Sequence, residues 1–333
     1  MPTQYLSIAV TVVDLLALVV CIGALACRFW LIADTGVMHE ADAHILLLWQ
    51  TIGICVAALT LSSIMLLFVR TAVMSERPLN EIFPVLSPVI FRTHFGKAWM
   101  IRFLGLGLAW LGWLWSGRSL QSRIGWGFML VAVTLIAASR SASGHAADAG
   151  DFTLAEVIDW LHIFATSVWG GALVVTSLVI SPAITKLAGE RRAITAIVAC
   201  RLSLIAGIAL ASVVMTGLFN AWRALGGDFT ALWSTAYGQL LSAKLLLVAG
   251  MVSLGAINRY RSLPLLRGWA GHPVSRQALV RWPLILRSSA SANQTSPAKC
   301  PTRAFTHTAR IEVILVLGVV LITAVLLHAM PVH

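Results

Sequence analysis

Ionisable side chains with metal-binding chemistry lie inside one long apolar segment of the chain. Glu156, Asp159 and His162 occur at i, i+3 and i+6 in the run LAEVIDWLHIFATSVWGG. At about 100° per residue, the three side chains project within a sector of about 120° on a helix. Because polar groups inside a membrane span are energetically costly and usually functional, the spacing predicts a polar helix face that binds a metal ion or a proton.

Further histidines and a methionine are expected at the same face of the membrane, close to His162. His94 and His145 each precede an apolar segment, and the sequence LHAMPVH ends the chain. Imidazole and thioether ligands suit copper, whereas carboxylates alone suit harder cations. The predicted metal-binding set therefore combines five histidines, two carboxylates and one methionine: His94, His145, Glu156, Asp159, His162, His328, Met330 and His333.

Each of these residues also has a purely structural interpretation. A histidine at a membrane boundary is commonly an interfacial residue, and a methionine is commonly a packing residue. Asp159 and Glu156 could instead pair with Arg102 or Lys244 and hold the helices together. The constellation indicates a metal or proton site more strongly than any single member does.

The cysteines favour packing roles. Cys21, Cys27 and Cys55 lie inside apolar segments, no cysteine lies in a predicted outer loop, and there is no CxxC pair. A disulfide framework and a zinc ribbon are therefore not expected. If the three thiols were functional, they would offer soft ligands toward the cytoplasmic exit.

The elements that position these residues are predicted to be membrane-spanning helices. Hydrophobic residues make up 59% of the chain and charged residues 11%, against roughly 25% charged in soluble domains. A span requires about 20 predominantly apolar residues. Eight segments qualify, at residues 7–32, 44–69, 98–115, 124–140, 154–181, 200–225, 239–258 and 311–329. The prediction is an all-α polytopic membrane helix bundle, a single transmembrane domain over residues 1–333.

The distribution of basic residues predicts the orientation of this bundle. The net charge is +11, and nine of the basic residues lie between Arg259 and Arg310. By the positive-inside rule, the 259–310 loop is cytoplasmic and both termini are extracytoplasmic. The one modest exception is the basic outer loop over residues 71–97. The charge sets orientation and contacts anionic membrane lipid, and it requires no nucleic acid.

Several segments resemble the copper resistance D (CopD) family of bacterial inner-membrane proteins. They are GHAA at 144–147, DWLHIFATSVWGG at 159–171, THFGKAWMIR at 93–102, RLSLIAGIALASVVMTGLFNA at 201–221 and STAYGQLLSAKLLLVAGMVSLGAINR at 234–259. The resemblance implies a multi-pass inner-membrane protein that takes copper inward from a separate periplasmic carrier (CopC-like). It also implies roles for His145 and His162, with Tyr237, Gly238 and Lys244 on the same outer side. The HAMPVH tail lies outside the family pattern, so its role depends on ligand chemistry alone.

The predicted function is capture of a copper ion at the outer face and its passage inward, without enzymatic activity. The chain has no GxxxxGK[ST] motif that would indicate an ATP motor. One alternative is a haem-binding membrane redox protein, although only His162 lies well inside a span and His44 and His328 are marginal partners. The other is a non-transporting scaffold that docks the copper carrier. The copper oxidation state, the energy coupling and assembly into a homo-oligomer are left open.

Overall fold

The computed structural model describes residues 2–31, 41–120, 122–144, 153–184, 191–269 and 301–329, and these residues form helices and short connections without a strand. The helices are α1 (Pro2–Ala26), α2 (Ala41–Ser75), α3 (Phe83–Arg92), α4 (His94–Arg118), α5 (Arg123–Ala142), α6 (Leu154–Val175), α7 (Ser181–Ile184), α8 (Arg191–Ala224), α9 (Ala231–Ser234), α10 (Ala236–Ile257), α11 (Leu263–Trp269) and α12 (Pro301–Leu326). Single π-helical turns extend α1, α6 and α10, at Cys27–Leu31, Thr176–Ile180 and Asn258–Ser262.

Within these described residues, eight helical segments are long and apolar enough to cross a membrane. They are Gln4–Leu31, Ile45–Ser75, His94–Arg118, Arg123–Ala142, Leu154–Ile184, Ile194–Ala224, Ala236–Gly268 and His307–Leu326. The predicted all-α class and the predicted number of spans are confirmed. The sides on which the termini lie stay a prediction.

Several spans are longer than their apolar runs predict. The third begins at His94 rather than near residue 98, because the Thr93 side chain caps the helix by accepting a hydrogen bond from the Gly96 amide. The seventh continues past residue 258 through a π-helical turn into α11. There Leu263 and Leu266 are buried against α8. The predicted 259–310 loop is thus helical at both of its described ends, and residues 270–300 lie outside the described part.

Helix α1 occupies a central position, packed against α2, α5, α6 and α12. Its crossing with α6 is a close backbone contact, since Gly23 and Gly171 face each other. A Cβ atom added at Gly23 would lie 2.1 Å from the Gly171 carbonyl carbon, and one added at Gly171 would lie 2.0 Å from the Val19 carbonyl oxygen. Small residues allow such approach between membrane helices. The small residues Gly170 and Gly171 of α6 thus receive α1 at close range.

We predict that Gly171→Ala destabilises the protein by at least ~1–3 kcal/mol, because the new methyl group would force the backbones of α1 and α6 apart. The loss of folded protein on heating in detergent measures the effect. Gly127→Ala in α5 is the matched control, since no described atom lies within 4 Å of its added Cβ. Equal thermal stability of the two variants would contradict the close contact.

Candidate functional site

One end of the bundle collects most of the polar side chains predicted to be functional. At this end α1, α4, α6 and α10 begin, and α2, α5, α8 and α12 end. Side-chain hydrogen bonds connect these termini, including Ser7 of α1 with His328 just after α12, at 2.7 Å, and Ser141 of α5 with the Glu156 carbonyl of α6, at 2.9 Å. We call it the polar end.

At the polar end, α6 presents two of its polar residues to α8. The Asn220 side-chain amide donates a hydrogen bond to Asp159 Oδ1 at 3.0 Å. His162 Nδ1 and Thr216 Oγ1 lie 2.9 Å apart. Because Thr216 and Asn220 are one turn apart in α8, they match the spacing of Asp159 and His162 in α6. The prediction that Asp159 and His162 share a helix face is confirmed.

The hydrogen bonds around His162 assign the tautomer of its ring. The Thr216 hydroxyl donates to the Ser212 carbonyl oxygen at 2.6 Å. Its oxygen therefore accepts a hydrogen bond from His162 Nδ1–H, which leaves the lone pair of the neutral ring on Nε2. Gly217 makes space for the ring, since an added Cβ would lie 3.1 Å from His162 Cε1. The ring is thus held by α8, with Nε2 as its unprotonated nitrogen.

Cationic side chains surround the Asp159 carboxylate. Lys244 of α10, Arg140 of α5 and Arg223 of α8 all interact with it electrostatically. Of the two partners considered from the sequence, Lys244 therefore lies beside Asp159. A metal cation that binds this carboxylate must displace part of that positive charge, and the charge of Lys244 also acts on His162.

Arg102 has a different partner from those expected. It forms an ion pair with Asp14 in which both side chains are completely buried. Ser62 donates to Asp14 Oδ1 at 2.7 Å, and Arg102 Nε donates to Ser63 Oγ at 2.6 Å. The expectation that Arg102 could pair with Asp159 or Glu156 is wrong, because α4 packs on α2 and directs Arg102 toward α1.

Arg140 connects the two groups of charges. It interacts electrostatically with Asp14 and Arg102 on one side and with Asp159 on the other. The polar end therefore holds a continuous set of charges that joins α1, α4, α5, α6 and α10. Fixed opposite charges of this kind reduce the cost of placing ionised groups among apolar helices.

His328 is engaged within the fold. Its Nδ1 donates to the Ala324 carbonyl oxygen at 2.8 Å, so its Nε2 accepts a hydrogen bond from Ser7. Both ring nitrogens are occupied, and neither is available to a metal ion or a haem iron. In this arrangement His328 joins α12 to α1 and does not act as a ligand.

The remaining members of the predicted metal-binding set are dispersed or undescribed. His94 is exposed at the start of α4, and Glu156 lies in the first turn of α6. His145, Met330 and His333 lie outside the described residues. Within the described ranges, no three His, Cys, Asp or Glu side chains form a group that could hold a metal ion. The structure brings Asp159 and His162 to one face, and the complete metal-binding set stays a prediction.

Sequence reasoning did not identify Thr216 and Asn220, which hold the two key side chains of α6. Both lie near the end of an otherwise apolar helix and are four residues apart. Polar residues at this spacing commonly hydrogen-bond to a neighbouring membrane helix. That spacing is the signal that could have identified them.

We predict that Asp14→Asn destabilises the protein by ~3–5 kcal/mol, because it leaves the Arg102 guanidinium buried without its counter-ion. The double variant Asp14→Leu with Arg102→Met is expected to recover most of this loss, since it removes both charges. Thermal unfolding in detergent compares the variants, with the exposed Glu81→Gln as control. A double variant no more stable than Asp14→Asn would contradict the role of the pair.

Two family models match the chain. Residues 196–326 match copper resistance protein D, and residues 1–154 match the copper resistance protein D-like, N-terminal domain. No curated protein and no solved structure matches the chain. The two matched segments contain residues that interact with Asp159 or His162 of α6, including Arg140, Thr216 and Lys244. Most of α6 itself lies between the two matched segments. The chain belongs to the copper resistance D family of membrane proteins.

Proposed function

We propose that this multi-pass membrane protein takes copper from the periplasm toward the cytoplasm across the bacterial inner membrane, with His162 as an intramembrane ligand. Membership of the copper resistance D family supports a role in copper resistance. The observation that carries the proposal is the orientation of His162, whose Nδ1 is held by Thr216 and whose Nε2 keeps its lone pair. Neutral imidazole is a good copper ligand.

The transfer begins with capture at the polar end. His94 is exposed there at the start of α4, and His145 and the Met330/His333 tail are proposed as further capture ligands. A separate periplasmic copper carrier of the CopC type delivers the ion. During this transfer, imidazole and thioether groups of the polar end would replace carrier ligands of similar softness. The copper ion would thus pass between two comparable sites.

Asp159 has a supporting part in this proposal. Its hydrogen bond from Asn220 and its interactions with Lys244, Arg140 and Arg223 fix the carboxylate one turn from His162. An incoming copper ion adds positive charge beside these basic side chains. Movement of Lys244 or Arg140 away from Asp159 would compensate for that charge, which links binding to a rearrangement of α5 or α10.

We predict that His162→Ala abolishes copper accumulation in cells that express the protein. His162→Gln separates ligand from structural effects, because a glutamine amide can still donate a hydrogen bond to Thr216 but is a poor copper ligand. We expect it to fold normally and to lose copper accumulation as well. Copper content per cell is measured by mass spectrometry.

His307→Ala is the matched control for these variants. His307 is exposed near the start of α12, away from the polar end, so its loss should leave copper accumulation unchanged. Unchanged accumulation in His162→Ala would remove His162 from the mechanism.

A second candidate function is a scaffold that docks the copper carrier without transporting the ion. The observation that favours it is that no three His, Cys, Asp or Glu side chains form a group that could hold a metal ion among the residues that the structure describes. We predict that liposomes containing the purified protein accumulate copper, whereas protein-free liposomes do not. Binding of the carrier to the liposomes without copper inside them would support the scaffold instead.

A further inference from the structure

A second buried polar site lies at the opposite end of the bundle from the polar end. Glu312 of α12 is only 2% exposed. Its carboxylate lies over Gly255 and interacts with the side chain of Asn258, the first residue of the π-helical turn that follows α10. Asn258 lies about four turns beyond Lys244, or about 21 Å along the helix axis. The site is therefore separate from the Asp159 and His162 face.

Packing in this region does not require a charge. Glycines bring α10 and α12 together: a Cβ added at Gly250 would lie 3.6 Å from Leu315 Cδ1, and one added at Gly318 would lie 3.0 Å from Leu247 Cδ1. Glu312 Oε1 lies over Gly255, 3.7 Å from the position of an added Cβ. An apolar side chain at position 312 would serve the same packing, so the carboxylate calls for another explanation.

The charged groups on neighbouring elements do not neutralise Glu312. In the part of the chain that the structure describes, the ion pairs do not include Glu312, and the charged groups of α6 and the lysine of α10 lie at the polar end. The nearer arginines, on α12 and on the elements packed against it, have other contacts or are exposed. Arg259 donates to the Ser203 carbonyl, Arg267 donates to Cys200 Sγ, and Arg28 lies over the Trp126 ring. Arg261 and Arg310 are exposed.

Asn258 supplies the second observation. The residue is 9% exposed, and its Oδ1 is buried without a hydrogen-bond partner in the structure. A buried carbonyl oxygen without a hydrogen-bond donor is energetically unfavourable. Asn258 can donate from its NH₂ group to an ionised Glu312, and its Oδ1 can accept from the O–H of a protonated Glu312. The amide therefore offers a partner to each protonation state of the carboxyl group.

The ligand chemistry identifies the cation. Ca²⁺ and Mg²⁺ take six or more oxygen ligands, so one carboxylate and one amide oxygen would need several waters to complete the shell at a site where both side chains are buried. Neither group is a soft ligand suited to copper. A proton needs only one carboxylate oxygen, where it forms an O–H bond and from which it returns to water. We propose that Glu312 and Asn258 form an intramembrane proton-binding site, at which the chain exchanges one proton while copper crosses the bundle. The coupling to copper rests on the proposed function, whereas proton binding at Glu312 does not.

Infrared difference spectroscopy of the purified, copper-free protein tests proton binding. Acidification is expected to produce a carboxylic-acid C=O band that is lost in Glu312→Gln and kept in the exposed control Glu81→Gln. Asn258→Leu is expected to keep the band and shift it toward the frequency of a carboxylic acid without a hydrogen-bond partner. An identical spectrum for the wild type and Glu312→Gln would overturn the site.

Liposomes that contain the protein and an internal pH-sensitive dye test the coupling. Addition of copper is expected to change the internal pH with the wild type and with Glu81→Gln, and this change is expected to be lost with Glu312→Gln. A pH change that persists in Glu312→Gln would overturn the coupling. Absence of copper uptake by the wild type would overturn both transport and coupling, and the infrared band would then decide the proton site alone.

Discussion

The crossing of α1 and α6 at Gly23 and Gly171 is the contact on which the arrangement of the other helices depends. The two backbones approach so closely that neither position has space for one methyl group. This contact places α6 against the central helix, with α5 and α8 beside its first turns. The face that carries Asp159 and His162 consequently meets Thr216 and Asn220 of α8, and not lipid.

The charges at the polar end are organised as pairs between helices because isolated charges are costly in an apolar bundle. Asp14 and Arg102 form one completely buried pair. Arg140 interacts electrostatically with both members of this pair and with Asp159. Asp159 is thereby surrounded by positive charge, which disfavours simple cation binding to its carboxylate. His162 is the better candidate for a copper ligand, since Thr216 holds its neutral imidazole in place and Lys244 is the one basic side chain that acts on it among those around Asp159. The opposite end has Glu312 and Asn258, which are suited to a proton. The imidazole proposed to bind copper at the polar end is therefore a softer ligand than the Glu312 carboxylate at the opposite end.

The two matched family segments leave residues 155–195 between them, and this interval includes Asp159 and His162. The structure nevertheless joins α6 to both segments, through Ser141 on one side and through Thr216 and Asn220 on the other. Family membership accordingly supports a role in copper resistance, whereas the proposed part of His162 depends on the geometry of this chain. The assignment of the lone pair to Nε2 follows from the hydrogen bond of Thr216 to the Ser212 carbonyl, a local detail of α8.

The sequence by itself determined the helical class, the eight spans and the shared face of Asp159 and His162, because apolar length and helical period are local properties. It did not determine which charges pair. From the sequence, Arg102 and Lys244 are equivalent candidate partners for Asp159. In the structure, Arg102 pairs with Asp14, and Lys244 interacts with Asp159. Nor did it show that His328, which it placed among the predicted metal ligands, has both ring nitrogens occupied by Ser7 and Ala324. These choices depend on contacts between residues far apart in the chain, and only the tertiary structure brings such residues together.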